Sequence, residues 1–260
     1  MDAARIEALA AQVLQAEDTH TPIAVPSASG ETLALEDGYR VQFAYVALRC
    51  ARGERTVGKK IGATSQGIQQ SMNLREPVFG FNFAQPAFTQ GEPIALARLI
   101  HPKVEMELAF VLKRRLAGPG VTLADVLRAT EGVMPAFEIA DCRFDSWRMP
   151  AADLLADNSH ASGMVLGAQL SSVKNLDLRL TGALFEKNGE LLGTATTAAA
   201  LGNPALAVAW LANALARYER ALEEGEVILT GALTPVADAH AGDGFSATFA
   251  GLGSVTARFV

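Results

Sequence analysis

The stretch HPKVEMELAFVL, residues 101–112, limits what this chain can fold into more than any other run. Read as a strand, its side chains alternate between two faces. Val104, Met106, Leu108, Phe110 and Leu112 share an apolar face, and Glu105, Glu107, Ala109 and Val111 share the other. The second face is acidic at one end and apolar at the other, which fits the floor of a pocket better than a solvated surface. Two carboxylates ~5 Å apart in an effective dielectric of ~20 repel by on the order of 3 kcal/mol. Solvent, a lysine or a metal ion must offset that repulsion. An isolated E-x-E on a wet edge strand is the plainer alternative, since charged side chains are mostly exposed.

The chain has 260 residues, half of them apolar and under a fifth charged, a composition that fits a globular protein. It reads as a single unit over 1–260, with a helical portion to about residue 75 and a strand-rich body after it. A net charge of −6, and no basic run longer than Lys113-Arg114-Arg115, argue against a nucleic-acid partner. Cys50 and Cys142 lack C-x-x-C spacing and read as reduced thiols of a cytoplasmic protein. The N-terminal run MDAARIEALAAQVLQAE is amphipathic and has no signal-like apolar core. The most membrane-like segment, AAALGNPALAVAWLANALA, is broken by Gly202-Asn203-Pro204. Asn203 as N-cap and Pro204 at the first helical position predict a buried helix from 204 to about 221, so no membrane span is expected.

Helices are predicted over about 2–17 and 36–52, then a strand at VGKKIG and a short helix capped by Thr64 or Ser65. Thr122 and Asp125 have capping-box spacing. VMPAFEIAD and GMVLG read as strands, and LRLTGALFEKNGELLGTA as a hairpin turning at Asn188-Gly189. Further strands are expected near GEVILTG, GFSATFAG and GSVTARFV. Strands and helices do not alternate regularly, so the class is α+β. No glycine-rich phosphate loop is present.

A third acid, Glu138, shares a strand face with Ala136 and Ala140. Glu105, Glu107 and Glu138 on two strands would form an oxygen site suited to Mg²⁺ or Mn²⁺. His20, His101, His160 and His240 share no zinc-ligand spacing.

The segments VGKKIGATS, HPKVEMELAFVL, FEIADCRF, LLADNSHASGMVLG, FEKNGELL, AVAWLANAL and GLGSVTARFV occur in order along the chain. Together they resemble the 2-hydroxypenta-2,4-dienoate hydratase and 4-oxalocrotonate decarboxylase family of the fumarylacetoacetate hydrolase C-terminal-domain superfamily. The resemblance implies a fold of rolled mixed β-sheets and a Mg²⁺ or Mn²⁺ ion held by Glu105, Glu107 and Glu138. It also implies small 2-oxo or 2-hydroxydienoic acids as substrates, whose carboxylate and 2-oxygen can chelate one cation. A Lewis acid there stabilises charge developing on the 2-oxygen. Hydration at C4 and decarboxylation both draw on that chemistry, and the E-x-E motif does not separate them.

By motif position Lys60 is the active-site lysine. Strand alternation sends Lys59 to the other face, and Lys103, on the glutamate face, is a second candidate. Asp157 and Asn158 carry over as pocket lining, with Thr230 as a substrate contact. The chain also departs from the family pattern. Ala84 followed by Gln85 stands where an aspartate is usual, and Ala232 where serine or glycine is common. His160 stands where the family has a small residue or asparagine; it is expected to transfer protons near neutral pH. The resulting expectation is a metal-dependent hydratase of aromatic meta-cleavage catabolism. The alternatives are a 2-oxo-3-enedioate decarboxylase and a non-catalytic structural partner of a related enzyme. The resemblance further implies a homo-oligomer and admits a complex with a related pathway enzyme.

Overall fold

In the computed structural model, which describes every residue except 31, the chain starts as two packed helices. Helix α1 (Ala3–Thr19) begins where the Asp2 carboxylate accepts from the Arg5 N–H, and α2 (Leu35–Ala51) follows after a loop. Strand β1 (Thr56–Gly62), helix α3 (Gln66–Ser71, capped by Ser65) and β2 (Val78–Phe83) come next. A short β3 (Pro93–Ile94) precedes the acidic strand β4 (Lys103–Leu112). Helix α4 (Leu123–Ala129) carries the expected Thr122–Asp125 capping box and leads into β5 (Thr130–Ala140). Then come α5 (Ala151–Ala156), β6 (Ala161–Leu166), β7 (Gly182–Lys187), β8 (Glu190–Thr196) and α6 (Pro204–Ala216). Strands β9 (Val227–Leu229), β10 (Ala237–Asp238), β11 (Gly244–Phe249) and β12 (Gly253–Phe259) complete the chain.

The larger sheet has the order β2-β1-β9-β4-β5-β6, with β10 paired to the start of β4. The smaller has the order β3-β12-β11-β7-β8. Strand β1, from the helical first third, lies inside the larger sheet and runs parallel to β9. This pairing ties the first third of the chain to the strand-rich body.

The two edges of the larger sheet meet, so the sheet is rolled. A Cβ placed on Gly80 of β2 would lie 3.2 Å from Ala161 Cβ at the start of β6, and 2.3 Å from the Asn158 carbonyl oxygen. Only glycine permits that approach. The Asn158 amide closes the seam: its Oδ1 accepts from Phe81 N–H and its Nδ2 donates to Phe81 O, each at 2.9 Å. Ser159 Oγ donates to Phe79 O at 2.8 Å. These bonds satisfy backbone groups that an edge strand would leave open. Asn158, Ser159 and His160 adopt φ of 49°, 52° and 61°, a left-handed run that costs an L-residue roughly 1–2 kcal/mol each. The three seam bonds offset that strain.

Outside the roll, Phe79 stacks on Tyr39 of α2 with ring centroids 4.7 Å apart, and Phe137 meets Phe185 of the smaller sheet at 5.7 Å. Inside, the residues are smaller: Ala109, Ala136 and Leu229 form a separate cluster ringed by Met134, Met164, Leu166 and Val227.

One expectation needs correction. Helix α6 stops at Ala216, not near 221, because Glu219 turns left-handed (φ 55°) and Arg220 N–H returns to Leu215 O. The segment Thr197–Ala216 passes a length-and-composition test for a membrane span, but over half of it is buried in this fold. Strand β2 has no alternating signature, since all six of its residues are buried.

Candidate metal and substrate site

The antiparallel pairing of β4 with β5 sets Glu105 directly opposite Glu138, and Glu107 opposite Ala136. One carboxylate oxygen from each of Glu105, Glu107 and Glu138 lies within 4.8 Å of the others. Glu107 and Glu138 are fully buried, while Glu105 is partly open. Glu107 Oε2 accepts from the Gly231 N–H at 2.6 Å, but Glu107 Oε1 and both Glu138 oxygens have no hydrogen-bond partner. Burial, then the neighbouring acids, push the Glu107 carboxyl well above the usual range. Burial pushes Glu138 up to about 7 against the pull of Lys60. Buried carboxylates without donors are costly unless a cation sits among them.

Lys60 projects from β1 onto the same inner face, and its Nζ is 3.1 Å from Glu138 Oε1. The contact is angled, so it acts as an ion pair and leaves the oxygen's lone pairs free of a hydrogen bond. Burial works against the ammonium, but Glu138, Glu105 and Glu107 outweigh it and hold the lysine pKa above its usual value. Three carboxylates against one ammonium leave two negative charges, which a divalent cation would balance. Oxygens around a Mg²⁺ at ~2.1 Å lie at most ~4.2 Å apart, close to the spacing seen here. The donor set is all oxygen, which suits Mg²⁺ or Mn²⁺. The residues fit the ion.

The other candidates fall elsewhere. Lys59, on the other face of β1 as alternation predicts, is buried, with Nζ 2.5 and 2.6 Å from the two Glu226 oxygens. Lys103 pairs with Asp238 at 2.5 Å, and its Nζ is 4.9 Å from the Trp147 ring centre. Asp157 and Asn158, expected as pocket lining, have their side chains engaged within the fold. Asp157 is fully buried and accepts from Arg143 Nε at 2.5 Å and Arg143 N–H at 3.1 Å, while Asn158 closes the seam. Thr230 is likewise buried, its hydroxyl donating to Leu108 O at 2.8 Å. Its neighbour Gly231, with φ 105°, turns its N–H onto Glu107. The sequence signal for Gly231 was only a glycine after a strand. Gln85 is exposed and hydrogen-bonds its own turn through Ala87 N–H. Ala84 opens onto a cavity of about 350 Å³ walled by Val57, Phe83, Phe88, Met164 and Leu166. Met164, one of its walls, pairs with Glu138 across β5 and β6.

His160 is 6 % exposed, with its ring 4.3 Å from that of Trp147 and its Nε2 3.5 Å from Asp157 Oδ2 without a hydrogen bond. Burial, reinforced by Arg143, Lys60 and Lys103, holds its pKa well below the usual value. It is therefore neutral near pH 7, and the expected titration near neutrality is corrected. Because the unfolded chain takes up the proton first, stability falls as pH drops below ~6.5, by up to about 1.4 kcal/mol per unit until the folded pKa is reached. Chemical denaturation from pH 7 to 5 should show that loss in the wild type and a shallower one in His160→Phe. Parallel slopes would mean the imidazole is not held neutral.

A family model for the fumarylacetoacetate (FAA) hydrolase C-terminal region matches residues 49–260, which include Lys60 and all three acids. The chain belongs to the fumarylacetoacetate hydrolase C-terminal family. A 2-hydroxyhexa-2,4-dienoate hydratase of Comamonas testosteroni is 42 % identical over 229 residues, 87 % of each chain. A 4-oxalocrotonate decarboxylase of Pseudomonas sp. strain CF600 is 36 % identical over 98 % of this chain and 97 % of its own. The solved 4-oxalocrotonate decarboxylase of Pseudomonas putida G7, complexed with magnesium and adipate, superposes with a TM-score of 0.96 at 33 % identity, covering 100 % of this chain and 99 % of that one. The α+β architecture described above is shared with that solved structure over the whole chain.

Proposed function

We infer that this chain is a divalent-metal-dependent lyase that adds water to a 2-hydroxy-2,4-dienoate, through its 2-oxo-3-enoate form, to give a 4-hydroxy-2-oxo acid. The observation that carries the reading is Lys60 Nζ set 3.1 Å from Glu138 in a cluster of three acids, two of them fully buried. Glu105, Glu107 and Glu138 would hold Mg²⁺ or Mn²⁺, which when bound supplies Lewis-acid stabilisation of charge on the substrate's 2-oxygen. Lys60 adds a fixed positive charge beside that oxygen and can donate a proton to it. The walls of the roll exclude bulk water, which strengthens both effects.

Hydration is favoured over decarboxylation by the cavity beside Met164. Its walls are mainly apolar and include no lysine or arginine. A 2-oxo-3-enedioate carries a second carboxylate that such walls would not pair. The decarboxylase alternative keeps support from the fold likeness to the Pseudomonas putida G7 enzyme. A non-catalytic partner is disfavoured, because such a protein has no use for an ammonium buried among carboxylates. His160 enters as a neutral hydrogen-bonding group beside the site. A homo-oligomer, assembly with a related pathway enzyme and a cytoplasmic setting complete the reading, the last supported by two unpaired cysteines.

Purified protein with Mg²⁺ should consume 2-hydroxypenta-2,4-dienoate, seen as loss of its ultraviolet absorbance, without releasing CO₂. Absorbance loss from 2-hydroxymuconate-type diacids with stoichiometric CO₂ would instead establish the decarboxylase. No metal-dependent loss with either would leave the lyase reading without a substrate.

A further inference from the structure

The inner face of β1 and β2 carries few functional groups. The pairing sets Gly62 against Val78, Lys60 against Gly80 and Gly58 against Asn82. Phe79, Phe81 and Phe83 pack outside the roll against Tyr39, Phe43 and Tyr45, so Val78, Gly80 and Asn82 face inward with Lys60. Lys60 and Asn82 are thus the two polar side chains on this inner surface. Asn82 is 1 % exposed, and neither its Oδ1 nor its Nδ2 has a hydrogen-bond partner. An amide buried with both ends unpaired is destabilising for the folded chain alone.

The position of Asn82 relates it to the acids from two sides. It is the diagonal cross-strand neighbour of Lys60, a relation that leaves ~7–8 Å between backbones. Across the seam, β2 runs alongside β6, whose inward residue Met164 pairs with Glu138. A ligand held by its carboxylate and 2-oxygen at the acids, beside Lys60 Nζ, would extend its C3–C4 end along this surface. Asn82 offers one acceptor and two donor hydrogens there and carries no charge.

We propose that Asn82 is a further substrate-contacting residue, which binds the water that adds to C4 and the C4 hydroxyl of the product. This rests on the hydratase reading above. In the addition, the water oxygen bonds to C4 and the C3–C4 π pair shifts toward the 2-oxygen. The water gives up one proton and C3 takes one up, so the sum is H and OH added across C3–C4. Asn82 takes part in neither proton transfer. Its Oδ1 accepts from the water, fixing the oxygen lone pair toward C4, and its Nδ2 donates to the hydroxyl once formed. The neutral amide also suits a substrate whose far end is uncharged.

The test uses Mg²⁺-loaded full-length protein and three ligands measured by calorimetry: oxalate, 2-oxopentanoate and 4-hydroxy-2-oxopentanoate. The wild type should bind the hydroxylated acid about tenfold more tightly than 2-oxopentanoate, the worth of one buried hydrogen bond. Asn82→Leu should erase that preference while leaving oxalate affinity within twofold. Its ligand-free form should also melt above the wild type, because an unpaired amide has been replaced by a side chain of similar size. Asn82→Gln should keep part of the preference. A wild type without the preference, or an Asn82→Leu variant that retains it, overturns the proposal. So does an Asn82→Leu variant that melts lower, which would make the amide a structural group. If wild type binds none of the three ligands, the lyase reading itself fails; binding without the preference defeats only the role of Asn82.

Discussion

Glu107→Gln should remove most Mn²⁺ binding from a site that holds one ion per chain. Glu107 is the acid with the least freedom to be replaced. It is fully buried, held on one side by the Gly231 N–H at 2.6 Å, and its other oxygen has no donor. A glutamine of the same shape keeps the bond to Gly231 but removes the charge, and can turn an NH₂ toward the ion. Residues that only orient metal ligands are worth 10–100-fold in affinity, so losing a buried ligand should weaken Mn²⁺ by more than about 10²-fold. Titration followed by electron paramagnetic resonance reads this directly. Without metal the sign reverses: removing one of three crowded carboxylates relieves repulsion, so metal-free Glu107→Gln should melt above metal-free wild type. Unchanged Mn²⁺ affinity would take Glu107 out of the site.

The adjacent lysines should separate by what they lose. Lys60→Met removes positive charge beside the developing oxyanion, and turnover should fall by ~10²–10³. It also leaves Glu138 without its ion pair, which metal loading should compensate, so the loaded variant should remain folded. Lys59→Met acts on the opposite face, where it strands the Glu226 carboxylate, 7 % exposed, without its lysine. Breaking a buried pair from one side costs about 3–5 kcal/mol. For a chain of this size that lowers the melting temperature by on the order of 6–20 °C, while turnover per folded molecule holds. Thermal melts and kcat for both variants make the comparison. Equal losses in both measurements would mean that the two faces do not divide charge between chemistry and stability.

The acid site was legible because its signal is local. Glu105 and Glu107 announce themselves by alternation, and Glu138 by an acid among alanines on a second strand; pairing then does the rest. Lys60 was found by motif, but the fate of Lys59 was not, because its partner Glu226 is 167 residues away. Asp157 and Asn158 carried over as pocket lining by resemblance alone, and no sequence signal pointed to their partners: one anchors Arg143 and the other closes a sheet seam. Those bonds depend on where β2 runs, and β2 is buried on both faces and lacks any period that would reveal it. His160 was visible as an odd residue, but its charge state was not, since burial and three cations decide it.

The lysine pair on β1 also bears on how the chain finds its structure. A strand displaced by one residue exchanges its faces. In β1 that displacement would offer Lys59 to Glu138 and Lys60 to Glu226, so charge pairing alone accepts either alignment. Gly58 does not. A Cβ at its place would lie 1.9 Å from the Val227 carbonyl oxygen, and a slip would bring Val57 or Lys59 to that point. It would also carry Ile61, now fully buried outside the roll, in among the acids. Alignment of Lys60 with the acids is thus proofread by a residue with no side chain, and a lesion at Gly58 would displace the lysine while every charged group of the cluster remained in the sequence.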